Sequence, residues 1–115
     1  MGRTISMYNN AGNEDVVATG ETYEDAIAEG VLLDGAKLTN ITFRRCDMYW
    51  SSFFLAELVD VTFEDCDLRG ADLKEMKLTN VRFVNCDVGT DAIGGETQFD
   101  GTDLTMVEFI NCRGR

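Results

Sequence analysis

From Leu33 onward every fifth residue is large and apolar: Leu33, Leu38, Phe43, Met48, Phe53, Leu58, Phe63, Leu68, Leu73, Leu78, Phe83 and Val88 keep one phase. A second series of mostly smaller residues runs two positions ahead: Val31, Ala36, Ile41, Cys46, Ser51, Ala56, Val61, Cys66, Ala71, Met76, Val81 and Cys86. Five is neither the 3.6-residue period of a helix nor the 2-residue period of a strand. A repeat of fixed length instead defines a solenoid, in which stacked units share one continuous core.

A longer period lies over the first. Phe43-Arg44-Arg45-Cys46-Asp47, Phe63-Glu64-Asp65-Cys66-Asp67 and Phe83-Val84-Asn85-Cys86-Asp87 recur every twenty residues, which is one turn of a coil with four sides. Stacked at the strand spacing of about 4.8 Å, residues twenty apart lie directly above one another. Two apolar positions of each five then point inward and three point out. Charge supports this register: Arg44 and Arg45 fall below Glu64 and Asp65, while Lys37, Glu57 and Lys77 alternate up one column. Such surface pairs contribute only a few tenths of a kcal/mol each.

Ala36-Lys37-Leu38-Thr39-Asn40, Cys66-Asp67-Leu68-Arg69-Gly70, Ala71-Asp72-Leu73-Lys74-Glu75 and Thr102-Asp103-Leu104-Thr105-Met106 are similar to the Ala-(Asp/Asn)-Leu-x-x motif of pentapeptide repeat proteins. The resemblance covers about residues 31–112. It implies an all-β fold, a right-handed quadrilateral β-helix of about four coils. The expected organisation is an N-terminal cap over 1–30 and a β-helix over 31–115.

The phase breaks once, in Gly89–Thr97; Phe99, Leu104 and Phe109 resume it one residue late. Phe109-Ile110-Asn111-Cys112 copies the earlier corner 26 residues after Phe83, six more than a turn. A Gly-hinged loop bulging from the wall near 89–97 accounts for them. The first thirty residues do not repeat in this way. Ile5–Tyr8 and Val16–Thr19 flank Asn9-Asn10-Ala11-Gly12-Asn13 and read as a hairpin. Thr22 to Glu29 reads as a short helix with Thr22 as N-cap. Such an atypical cap would cover the open strand edges of a solenoid end. The C-terminal end carries no comparable cap, so it is expected to fray or to pair with another subunit.

Composition excludes several classes of function. The chain has 115 residues, no His, no Pro and a net charge of −11, which argues against direct binding of nucleic acid. Residues 31–88 hold ten acids and seven bases, so much of the acidity lies at the ends. No nucleophile–base pair or phosphate-cradling Gly motif stands out, and no enzyme activity, cofactor or metal is expected. No apolar run reaches the roughly 18 residues of a membrane span. The N-terminus also lacks the apolar stretch of a signal peptide. A cytoplasmic protein is expected.

Cys46, Cys66, Cys86 and Cys112 are expected to form an inward column of small buried thiols, since stacked rungs set them in a line and not a tetrahedron. Asp47, Asp67 and Asp87 stack on the outside, where repulsion demands compensation, most simply from backbone N–H groups at the corners. The unusual outward residues are Tyr49, Trp50, Phe54 and Leu55 on two adjoining walls of one turn. An exposed aromatic cluster marks an interface, unless the N-terminal hairpin folds back over it. With Asp91, Ile93 and Glu96 of the loop, which lies on the same wall as Tyr49–Phe53, it forms one candidate partner-binding surface.

The reading favoured is a non-enzymatic interaction module, a rigid acidic β-helix that binds a protein partner. A homodimer through an open coil end or through the aromatic patch also fits. The resemblance implies a second reading, a DNA mimic acting on DNA gyrase or topoisomerase IV as fluoroquinolone-resistance pentapeptide repeat proteins do. A third is a structural spacer or assembly subunit.

Overall fold

The structure, a computed structural model, describes residues 3–4, 17–19, 22–27, 29–90 and 95–114. Its strands are β1 (Arg3–Thr4), β2 (Val17–Thr19), β3 (Thr22–Glu24), β4 (Ala26–Ile27), β5 (Lys37–Thr39), β6 (Thr42–Arg44), β7 (Glu57–Glu64), β8 (Lys77–Val84) and β9 (Val107–Ile110). Every pairing between them is parallel. Lys37 faces Glu57 and Glu57 faces Lys77; Phe43 faces Phe63 and Phe63 faces Phe83. The twenty-residue register is therefore the hydrogen-bonding register of a four-sided β-helix.

Four walls recur. Residues 31–35, 51–55, 71–75 and 97–101 make the first. Residues 36–40, 56–60, 76–80 and 102–106 make the second. The third holds 41–45, 61–65, 81–85 and 107–111, and the fourth holds 46–50, 66–70 and 86–90. Backbone bonds such as Ser52 N–H to Val31 O (2.9 Å) and Asp72 N–H to Ser51 O (2.9 Å) tie each rung to the one before. After the six-residue surplus the ladder resumes with Gln98 on Asp72 and Val107 on Val81, both 26 residues apart.

Corners require the chain to turn every five residues, and the corner residue takes positive φ. Gly35, Trp50, Leu55 and Gly70 lie at φ 72, 58, 64 and 72°. Each sits third in a four-residue turn, closed by bonds such as Ser51 N–H to Met48 O (3.1 Å) and Ala56 N–H to Phe53 O (3.0 Å). That is the type II turn position that favours Gly or Asn. Many other corners use Asn40, Asp60, Asn80 and Asn85, whose short side chains tolerate this conformation. Trp50 and Leu55, like Arg45 and Glu75, belong to neither class, and of these four they are the apolar ones.

Inside, the central residues of the third wall form a spine of stacked rings. Centroids of Tyr23–Phe43, Phe43–Phe63, Phe63–Phe83 and Phe83–Phe109 lie 5.5, 5.0, 4.8 and 5.1 Å apart, nearly parallel. Phe53 meets Phe43 and Phe63 edge-on from the first wall, and Phe99 does the same to Phe83 and Phe109. The twenty-residue stacking brings identical rings together in register, so the core fills without a wide choice of side-chain packings.

One buried group departs from this economy. Ser51 is 1% exposed and its Oγ has no hydrogen-bond partner among the described residues, whereas Ala71 fills the same position one turn on. Ser51→Ala removes an unsatisfied hydroxyl at nearly constant volume. It is expected to raise the free energy of unfolding by about 1 kcal/mol in urea denaturation.

The N-terminal segment corrects one expectation. The helix expected from Thr22 to Glu29 is absent: β3 pairs with β6, Tyr23 facing Phe43, and Ala26–Ile27 is a strand paired with β1. The capping signal was outweighed because a strand here completes the ring spine and finds a ready-made ladder twenty residues on. Val17–Thr19 likewise pairs in parallel with Lys37–Thr39. Ile5–Tyr8 and the Asn/Gly turn of the expected hairpin lie outside the described residues.

Candidate protein-docking wall

Among the described residues, exposed large apolar side chains gather at the first wall and its corners; Val59 and Met106, on the second wall, stand two rungs or more apart. Trp50, Leu55 and Leu32 are 47%, 56% and 46% exposed. Trp50 stands at the corner leading into this wall and Leu55 at the corner leaving it. Leu32 occupies the wall itself, bridged to Ser52 on the next rung. Phe54 lies between them, half-buried. Leu32 is not among the outward residues expected from the aromatic turn, since it lies one rung before that turn. The signal was present, since Ser52, Asp72 and Gln98 occupy the equivalent outward position in later turns.

Glycines frame the two corner residues. Gly30 and Gly70 precede and follow Trp50 in its corner column, and Gly35 precedes Leu55. The Trp50 indole lies flat over Gly70: a Cβ placed there would stand 2.8 Å from its Cε2. Tyr49 meets Trp50 edge-on at 6.0 Å, and the Arg69 guanidinium covers the Tyr49 ring at 5.4 Å. Tyr49 is half-buried in consequence. The apolar surface offered outward is thus carried by Leu32, Trp50, Phe54 and Leu55.

The loop stem adjoins this wall. Thr90 bridges Glu96 in antiparallel fashion, and Thr97 Oγ1 donates to Leu68 O at 2.6 Å. From the last coil, Arg113 donates to Asp87 Oδ1 at 2.5 Å and to Thr90 O at 2.9 Å. A polar cavity of about 400 Å³ opens there, lined by residues including Val88, Thr90, Glu96, Phe99 and Arg113. Glu96 is exposed beside it. Asp91 and Ile93 lie outside the described residues.

The two side-chain columns have structural explanations. Cys46, Cys66, Cys86 and Cys112 are free thiols. Each donates to the carbonyl 23 residues earlier or, across the loop, 29 earlier: Tyr23, Phe43, Phe63 and Phe83, at 3.3, 3.3, 3.2 and 3.1 Å. Hydrogen bonding to the neighbouring thiols and burial push the Cys66 thiol far above its ordinary pKa, so it is held protonated and unreactive. Among the described residues no group of three or more His, Cys, Asp or Glu is arranged to hold a metal ion.

Asp47, Asp67 and Asp87 each accept the backbone N–H two residues on, from Tyr49, Arg69 and Gly89. Arg69 stands between two of them, 2.7 Å from Asp67 and 3.8 Å from Asp87. Partial burial works against ionisation of Asp67, but Arg69 and the backbone donor outweigh it and hold the carboxyl below its ordinary range. On the third wall Arg44 spans Glu24 and Glu64, whereas Arg45 turns down to Asp25 at 2.7 Å and away from Asp65.

A parallel four-walled coil with a twenty-residue register, an inward thiol column and an outward Asp column defines a β-solenoid of five-residue units. Residues 22–93 match the family model described as a pentapeptide repeat region, and the chain belongs to the pentapeptide repeat family. Among solved structures it is similar to a pentapeptide repeat protein from the Arabidopsis thaliana thylakoid lumen. There the identity is 23% and the TM-score 0.64, over 87% of this chain and 69% of that one. QnrB1, a plasmid-mediated fluoroquinolone resistance protein, matches at 19% identity and TM-score 0.45, over 84% of this chain and 52% of its own. A cyanobacterial pentapeptide repeat protein from Cyanothece 51142 matches at 15% identity and TM-score 0.28, over 90% of this chain and 67% of its own. No curated protein matches the chain. At these identities the likeness concerns the fold. No helix among the described residues is long and apolar enough to cross a membrane.

Proposed function

We propose that the chain is a non-enzymatic interaction module that docks a protein partner on its first wall, with the loop stem at the edge of the surface. The observation that carries this reading is the exposure of Leu32 on the first wall and of Trp50 and Leu55 at its two corners, where the later rungs of that wall carry Asp72, Lys74, Glu75, Gln98 and Asp100. Trp50 and Leu55 also hold a left-handed backbone, which costs a non-Gly residue about 1–2 kcal/mol. Large apolar side chains kept in a strained and exposed position fit a surface that is covered when a partner binds.

The charge on the fourth wall supports this reading over mimicry of a duplex. A phosphate row is bare, whereas Asp67 and Asp87 have Arg69 between them, and Arg113 also sits on Asp87. The test is affinity capture with the wild type and a Trp50→Ala/Leu55→Ala variant. Exposed corner positions leave the fold intact, and any partner of the wild type is expected to lose about tenfold or more in affinity, as buried aromatic anchors do. A variant that holds every partner as tightly as the wild type overturns the proposal.

A further inference from the structure

The apolar belt of the first wall is bordered by acid on both sides. Toward the N-terminal end lie Asp34 on the wall and Glu29, one rung below Tyr49; toward the C-terminal end lie Asp72, Glu75 and Asp100. The single cation of this wall, Lys74, sits 3.9 Å from Asp72, on its own rung. Glu75 and Asp100 are exposed, and Glu75 reaches over the next corner, where a Cβ on Gly101 would collide with its carboxylate. The belt spans two successive rungs, that of Leu32 and that of Phe54 and Leu55, about 5 Å apart, so an occupant that covers it also reaches both acidic borders.

We infer that the first wall takes a partner segment whose apolar side chains are flanked by Lys or Arg. The inference rests on the docking role proposed for the wall and adds the chemistry of the partner. Apolar anchors fill the space between the Trp50 and Leu55 corners, and the flanking cations meet Asp34 and Glu29 on one side and Glu75 and Asp100 on the other. A second copy of this chain fits poorly, because a two-fold contact would press acidic borders together. The net charge of −11 adds long-range repulsion between copies and steers a basic partner inward. An anionic lipid surface is disfavoured for the same reason.

The test is selection of a random dodecapeptide library displayed on phage against the wild-type chain, with counter-selection on Leu55→Asp and, separately, Leu32→Ser. Circular dichroism of both variants checks that each keeps the wild-type fold before its binding is compared. Because the chain has a single Trp, binding of each synthesised winner is read directly from Trp50 emission. The expected winners combine Leu, Ile or aromatic residues with enriched Lys and Arg and are lost on both variants. Their affinity is expected to fall roughly tenfold from low to high salt, as charge-complementary contacts do, and on Glu75→Lys/Asp100→Lys. Winners that depend on Leu55 but carry no excess of Lys or Arg, or that ignore salt, overturn the basic partner and leave the docking wall standing. Selection that yields no peptide sensitive to Leu32 or Leu55 overturns both.

Discussion

Phe63→Ala is expected to lower the free energy of unfolding by about 3–5 kcal/mol, the usual loss for a large aromatic removed from a core. Phe63 is fully buried and occupies the centre of the ring spine, stacked on Phe43 at 5.0 Å and on Phe83 at 4.8 Å, with Phe53 edge-on at 5.9 Å. Neighbouring rings are held at the strand spacing by the backbone ladder, so they have little freedom to close the cavity. A domain of this size is stable by roughly 5–15 kcal/mol, so the loss is a large share of the total. Urea denaturation measures it, with Leu55→Ala as the exposed control expected within about 0.5 kcal/mol of wild type. A Phe63→Ala chain as stable as the control would show that the stacked spine is not the core of this molecule.

Gly70→Ala carries the second large effect, about 2 kcal/mol, from two separable sources. The backbone there has φ 72°, a left-handed conformation that costs a side-chain-bearing residue about 1–2 kcal/mol. The added methyl also meets the Trp50 indole at 2.8 Å, which must swing away. Trp50→Gly removes the ring and relaxes its own left-handed strain. In the double variant only the backbone cost at residue 70 remains. The two substitutions together are therefore expected to be less harmful than their sum by about 1 kcal/mol, as coupled neighbours are. Strict additivity in thermal denaturation would mean that the indole does not rest on Gly70. Trp50 emission in Gly70→Ala gives a second check, since a displaced indole shifts toward the spectrum of water-exposed Trp.

The candidate surface was only partly legible in the sequence. Trp50 and Leu55 stand out because the repeat assigns them outward addresses where polar residues are usual. Tyr49 has the same kind of address yet is half-buried, because Arg69 from the next rung and Trp50 from its own cover the ring. Leu32 has an outward address too, where later turns carry Ser52, Asp72 and Gln98, and its exposure makes it part of the same surface. A side chain's address follows from its position in the chain. Its cover depends on what the neighbouring rungs place beside it.

The same distinction explains the N-terminal segment and the ion pairs. Thr22 carries a local capping signal, but Tyr23 lies twenty residues before Phe43, and the ring stack with its parallel ladder is stronger than a short helix alone. Arg45 can reach a carboxylate above or below it, and the sequence does not distinguish Asp65 from Asp25. The choice of Asp25 follows from the side-chain path, with Glu24 also within 3.1 Å.

By itself the sequence determined the coil: its five-residue walls, its twenty-residue rungs, the inward thiols and rings, and the six-residue surplus between Val88 and Gln98. These follow from periodicity, because burying two residues in every five while keeping the backbone ladder leaves one architecture. Tertiary structure decided which outward groups remain on offer: Leu32, Trp50, Phe54 and Leu55 between acidic borders, Asp67 and Asp87 compensated by Arg69, and Tyr49 covered. Exposure and charge balance arise between rungs, from residues twenty apart whose side chains can lean several ways, and a repeat pattern fixes their spacing without fixing that choice.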